Sequence, residues 1–137
     1  MNNVRARRHQ VSIVIFDGAN IIDITGPVGV FSSANMLLNE KFEGIQSGYD
    51  IQLLAETLSP VRTDSGVRLL PDATSETGKP ELDTLIVPGG YGTRDLESRG
   101  QLGKFLTKIP LVTLNKVLSI FQSRPTPPLF KRTVTVR

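Results

Sequence analysis

The 137-residue sequence contains no cysteine and no tryptophan, and it has one histidine, His9. Without a thiol the chain holds no disulfide, thiolate metal site, iron–sulfur cluster or cysteine nucleophile of its own. His9 lies in a polar basic leader with no second histidine or acid cluster beside it, so it is expected to be inert and no metal site is expected. Ser32, Ser33, Ser65, Ser98 and Ser119 lack a G-x-S-x-G elbow and a histidine base, which argues against a serine hydrolase. No continuous apolar run approaches the roughly 18 to 20 residues of a membrane span, and no apolar signal core follows the N-terminal arginines. A cytoplasmic protein without membrane contact is the expectation.

Acids are absent from both ends. Residues 1–10 hold Arg5, Arg7 and Arg8 and no acid, and eight cations with no acid follow Ser98. All 13 acids fall between Val11 and Glu97, opposed there by only five cations. Basic ends can neutralise phosphates, but these cations are scattered and few aromatics interleave them to stack bases. Solvated tails are the favoured reading, and nucleic-acid binding the weaker one.

With 39% apolar and 21% charged residues, the chain has the makeup of one globular domain. Val11 to Phe16 is a continuous, β-branched run that suits a strand buried on both faces of a parallel sheet. Thr25-Gly26-Pro27 predicts a helix start with Thr25 as cap, and Val30, Phe31, Ala34, Leu37 and Leu38 supply an apolar face through about Leu38. Asp50 to Ala55 reads as a second strand. Asp64-Ser65-Gly66 predicts a small hairpin between residues 61–63 and 67–69. Thr84 to Val87 is a further buried strand, stopped by Pro88-Gly89-Gly90. A helix is expected over Gln101 to Lys108 and a last strand over Asn115 to Ile120. Strands alternating with helices predict an α/β fold: a Rossmann-like (flavodoxin-like) parallel sheet sandwiched by helices. The chain divides into three segments: a disordered basic leader at 1–10, the domain at 11–120, and a divergent proline-rich basic tail at 121–137.

Two places carry chemistry. The turn from Val87 to Arg94 lacks the third glycine of a dinucleotide fingerprint and the Gly-Lys-Ser/Thr of a phosphate loop. Its glycine pair either presents backbone N–H groups as an oxyanion or carboxylate pocket does, or is a tight turn. Asp23 stands among Ile21, Ile22 and Ile24; it is either a desolvated general acid or base, or a capping aspartate ahead of Gly26.

Taken together, VSIVIFDGANIIDITGPVGVFSSAN, PVRTDSGVRLLPDA and LDTLIVPGGYGTR resemble the first half of a ThiJ/PfpI family domain of the class I glutamine amidotransferase-like fold. The likeness runs from Val11 to about Ile120 and is nearest to the amidase-like N-terminal domain of AraC-type transcriptional regulators, to which isocyanide hydratases are also similar. The resemblance implies that Asp23 is the family acid and that Gly89 and Gly90 form the oxyanion turn. It places the nucleophilic cysteine at the position of Phe121, where there is no nucleophilic atom. From that position onward a truncated, divergent ending is expected, of the kind a shifted frame or altered splice produces, leaving the sheet incomplete at its C-terminus. The resemblance then implies a non-catalytic domain that senses a small-molecule ligand near Asp23 and Gly89 and dimerises. Its alternative is a cysteine-less hydratase or amidohydrolase-like enzyme using Asp23. No cofactor is expected, nor DNA binding without a helix-turn-helix module. An open apolar edge and an uncovered sheet face predict a homo-oligomer or an aggregation-prone chain.

Overall fold

A computed structural model describes residues 7–41, 48–78, 81–92, 104 and 116–119. Its core is a parallel sheet in which β1 (His9–Val14) is flanked by β2 (Tyr49–Ala55) and β6 (Thr84–Val87), with β5 (Ala73–Thr74) outside β2 and β7 (Lys116–Ser119) outside β6. The order β5-β2-β1-β6-β7 is that of an open, doubly wound α/β sheet, the flavodoxin-like class expected. Ile13 pairs with Leu53 on one side and Ile86 on the other, and Ser119 pairs with Val87. Residues of β1 and β6 are buried on both faces, which is why these strands read as continuous apolar runs rather than alternating ones.

Helix α1 (Ile21–Lys41) connects β1 to β2 and begins a full turn before the expected start. Its cap is Asn20, whose Oδ1 accepts the amides of Ile22 at 3.0 Å and Asp23 at 3.2 Å, while Asp64 Oδ1 takes the amide of Ile21 at 3.0 Å. Thr25 is therefore inside the helix, and its hydroxyl donates to the Ile21 carbonyl at 2.8 Å. The inward face also differs. Ile24 is buried, and Val28 and Phe31 pack against the core in the same row. Val30, expected inside, is 67% exposed, and Leu37 is 55% exposed. Asn35 completes the inner row: its amide group accepts the Tyr49 N–H at 2.7 Å and donates to the Tyr49 carbonyl at 2.8 Å, as a neighbouring strand would.

Among the described residues α1 is long and apolar enough, by length and composition, to cross a membrane, although the sequence holds no unbroken apolar run of that length. Glycine, serine, threonine and asparagine interrupt the run without adding charge. Asn20 and Asn35 tie the helix to the domain near both ends.

The small hairpin forms as expected, from β3 (Val61–Arg62) and β4 (Arg68–Leu69) with Val61 opposite Leu69. β5 has no counterpart among the expected elements. It is led in by Asp72, whose amide donates to the Leu53 carbonyl at 2.9 Å and whose carboxyl accepts the Leu53 N–H at 2.7 Å. The segments at 101–108 and 121–137 lie outside the described residues, apart from a helical Lys104.

Of the leader expected to be disordered at 1–10, the described residues 7–10 are instead tied to the sheet, since β1 starts at His9 and Arg7 is bonded to Asp83. His9 Nε2 lies 2.8 Å from the Thr84 hydroxyl, a structural role. Asp83 is buried and accepts the Gln10 amide at 2.8 Å as well as the Arg7 guanidinium, joining the starts of β1 and β6. Burial opposes its charge, but the Gln10 amide and Arg7 outweigh that penalty and hold the carboxyl below its ordinary value. A lowered folded-state value means a stabilising contribution that is present above the unfolded carboxylate range and is lost as pH falls through the folded value. Asp83→Asn is expected to lower stability at neutral pH by about 2 kcal/mol and to shrink that deficit as the pH drops below about 4, read by urea unfolding at a series of pH values.

Candidate functional site

The chain leaves β1 toward β2 and later returns to the opposite side of β1 with β6, so the order of strands reverses between β1 and β6. In open α/β sheets this is where the loops diverge and leave a crevice beyond the carboxyl ends of the strands. Residues 15–20 after β1, the first turn of α1, the β3-β4 hairpin and residues 88–92 after β6 gather at that end.

Asp23 and Gly89, 66 positions apart, are in direct contact there: the Gly89 N–H donates to Asp23 Oδ2 at 2.9 Å. Asp23 is only 9% exposed. The Gly89 carbonyl accepts the Asn20 N–H at 2.8 Å, so both polar groups of this glycine are held by residues 20–23. Gly18 is held between the hairpin and the second loop, its N–H donating to the Arg62 carbonyl at 2.8 Å and its carbonyl accepting the Gly92 N–H at 3.2 Å. Asp17 accepts the Arg62 amide at 2.8 Å, and the Asp64 amide donates to the Ala19 carbonyl at 2.9 Å.

This closeness explains the glycines. Gly90 has φ +122°, and a Cβ on it would stand 2.3 Å from the Gly18 carbonyl oxygen. At Gly92 a Cβ would stand 1.9 Å from the Asp17 carbonyl oxygen. The two loops interlock backbone to backbone.

Of the sequence-predicted site residues, Asp23, Gly89 and Gly90 are brought together. Phe121 falls outside the described residues. The Gly89 N–H is committed to Asp23, while the Gly90 N–H and Asp23 Oδ1 have no hydrogen-bond partner among the described residues. Gly89 links the two, being bonded to Asp23 and preceding Gly90 in the chain. Asn20, Asp64 and Tyr91 do not stand out in the sequence as site residues. Asn20 followed three residues later by Asp23 has the spacing of a capping box, a signal that Thr25-Gly26-Pro27 outweighs. Among the described residues no cluster of histidine and acidic side chains could hold a metal.

An open doubly wound sheet with a buried carboxyl bonded across its switch point defines an α/β domain of the kind that binds ligands beyond the carboxyl ends of its strands. Residues 9–117 match the model of the DJ-1/PfpI family, and the chain belongs to that family. It is 34% identical over 82 residues to the "Uncharacterized protein in cpoL 5'region" of Streptomyces lividans, covering 60% of this chain and 52% of that protein. The solved ThiJ/PfpI family protein from Pseudomonas syringae superposes with a TM-score of 0.65 at 26% identity, over 87% of this chain and 45% of that one. A candidate transcriptional regulator from Vibrio parahaemolyticus shares the fold, with TM-score 0.59 and 15% identity over 82% of this chain and 56% of its own. The chain thus spans about half the length of these relatives.

Gly90→Ala is expected to force the interlocked loops apart and lower stability by about 3 kcal/mol, measured by urea unfolding. Gly26→Ala, where a Cβ meets nothing within 4 Å, serves as the control and should not destabilise.

Proposed function

We propose that this chain is a non-catalytic, ligand-recognising DJ-1/PfpI domain, a cytoplasmic sensing and dimerising module of the kind that AraC-type regulators carry. The observation that carries this reading is the Asp23–Gly89 contact in a chain without any thiol. A bonded carboxyl and a neighbouring open amide can recognise a ligand. No residue of this chain supplies the sulfur that would attack it. The Asp-x-x-Gly-Pro block from Asp23 to Pro27, like that of the regulator branch, supports the choice of class.

The dimerising half of the reading draws on α1. From Ile24 to Asn39 the helix has no charged residue, and Ile22, Val30, Met36 and Leu37 are exposed on its outer side. An uncharged face gains nothing from a charged partner and fits another uncharged face. A second copy of this chain, turned about a twofold axis, presents that face to itself.

The alternative, a cysteine-less hydratase or amidohydrolase, would use Asp23 Oδ1 to take a proton from water. Incubating the purified chain with aliphatic and aromatic amides and isocyanides is expected to give no turnover above buffer. Turnover that Asp23→Asn abolishes would establish the alternative and defeat the proposal. Separately, analytical ultracentrifugation should show a dimer that Val30→Glu converts to monomer. A monomeric wild-type chain would remove the dimerising role.

A further inference from the structure

Tyr91 is the residue directly after the Gly89-Gly90 turn, and it is 63% exposed. Most exposed aromatic rings are held only by their own flexible side chains. This one is seated. Gly18, at φ +78°, leaves the space beside it empty of any side chain, and a Cβ there would stand 2.6 Å from Tyr91 Cε2 and 2.9 Å from Cδ2. The backbone on both sides of the ring is anchored, through the close approach of Gly90 to Ala19 and Asn20 and through the Gly92 N–H to the Gly18 carbonyl. One edge of the ring therefore rests on the loop after β1 while most of the residue stays exposed beyond the carboxyl end of β6.

The turn that precedes the ring carries the Gly90 N–H and is bonded through Gly89 to Asp23. Asp23 Oδ1 accepts and the Gly90 N–H donates, neither with a partner among the described residues. A neutral carboxamide presents the complementary pair, an N–H to the carboxyl oxygen and a C=O to the amide. A seated aromatic ring adjoining such a pair favours a planar group stacked or edge-on against it.

We propose that Tyr91 is the specificity-determining wall of this crevice and that the ligand class is a small, planar, uncharged aromatic bearing a carboxamide or lactam edge. This rests on the ligand-recognition reading above and extends it from a polar contact to a ligand shape. Aliphatic amides satisfy the polar pair but leave the Tyr91 face wet; aromatic ones cover it.

Two probes separate the contributions, because benzamide and acetamide carry the same carboxamide and differ in the ring. Amide chemical-shift titration of the isotope-labelled full chain is expected to move the Gly90 resonance with both probes, with benzamide the tighter. Tyr91→Leu should reduce the advantage of benzamide over acetamide about 3- to 10-fold, and Tyr91→Phe should keep it. Tyr91 is exposed, so the leucine variant keeps the fold, checked by an unchanged urea midpoint. An advantage unaltered in Tyr91→Leu, or no advantage in the wild-type chain, overturns the role of Tyr91 while the polar site stands. No movement of Gly90 with either probe overturns both readings together.

Discussion

The hydrogen bond from the Gly89 amide to the buried Asp23 carboxyl is the constraint on which the upper end of this domain depends. It joins the first turn of α1 to the loop after β6, two segments that meet only because β1 and β6 pair in parallel. A buried carboxyl without such a partner would cost several kcal/mol in desolvation, and a buried amide without an acceptor would cost about 1 to 3 kcal/mol. Each satisfies the other. The approach this requires is so close that the loops contain glycine where a side chain would collide with backbone, at Gly90 and Gly92.

At the other end of the strands a second buried carboxyl has the opposite role. Asp83 ties the start of β1 to the start of β6 and engages both Gln10 and Arg7, so its bonding capacity is taken up within the sheet. Asp23 commits one oxygen to the fold and leaves the other without a partner among the described residues. Two aspartates of similar burial thus differ in function through what remains unsatisfied. Asp23 stands at the carboxyl ends of the strands, where an open α/β sheet binds its ligands.

Much of the sheet is legible in the sequence because its signals are local. Thr84 to Val87 forms a strand over the very residues expected, since a β-branched run ended by Pro-Gly-Gly has no competing reading. The hairpin comes from Asp64-Ser65-Gly66. The features that local signals miss depend on contacts between distant residues. The start of α1 is set by Asn20 and by Asp64 from the hairpin, and its inward face by the bonds of Asn35 to Tyr49 and the packing of Ile24, Val28 and Phe31. β5 has two residues, too few to show a period, and exists because Asp72 reaches Leu53. In the site, Asp23 and the glycine pair are recognisable as chemical types, but no spacing along the chain reveals that they touch. Nor does composition show that Gly18 seats the ring of Tyr91.

The outward face of α1 connects these observations to the proposed role. The helix contributes Asp23 to the crevice at its first turn and, along its length, an uncharged apolar surface that nothing among the described residues covers. On the proposed reading, a ligand held at Asp23 and a second copy held against Val30 act on one rigid body. Asn35 fixes that body to β2 through both atoms of its amide, so a displacement at the first turn is carried along the helix rather than absorbed at its far end. Linkage arises if the ligand binds the paired and unpaired chains with different affinity, and it is reciprocal: whatever factor pairing adds to ligand affinity, the ligand adds to pairing. On the proposed reading a domain without a thiol recognises what it binds without transforming it, and nothing in this chain of contacts requires sulfur. On that reading, recognition at the strand ends and association along the helix need only the carboxyl, the glycine turn and the apolar face, all of which this sequence has.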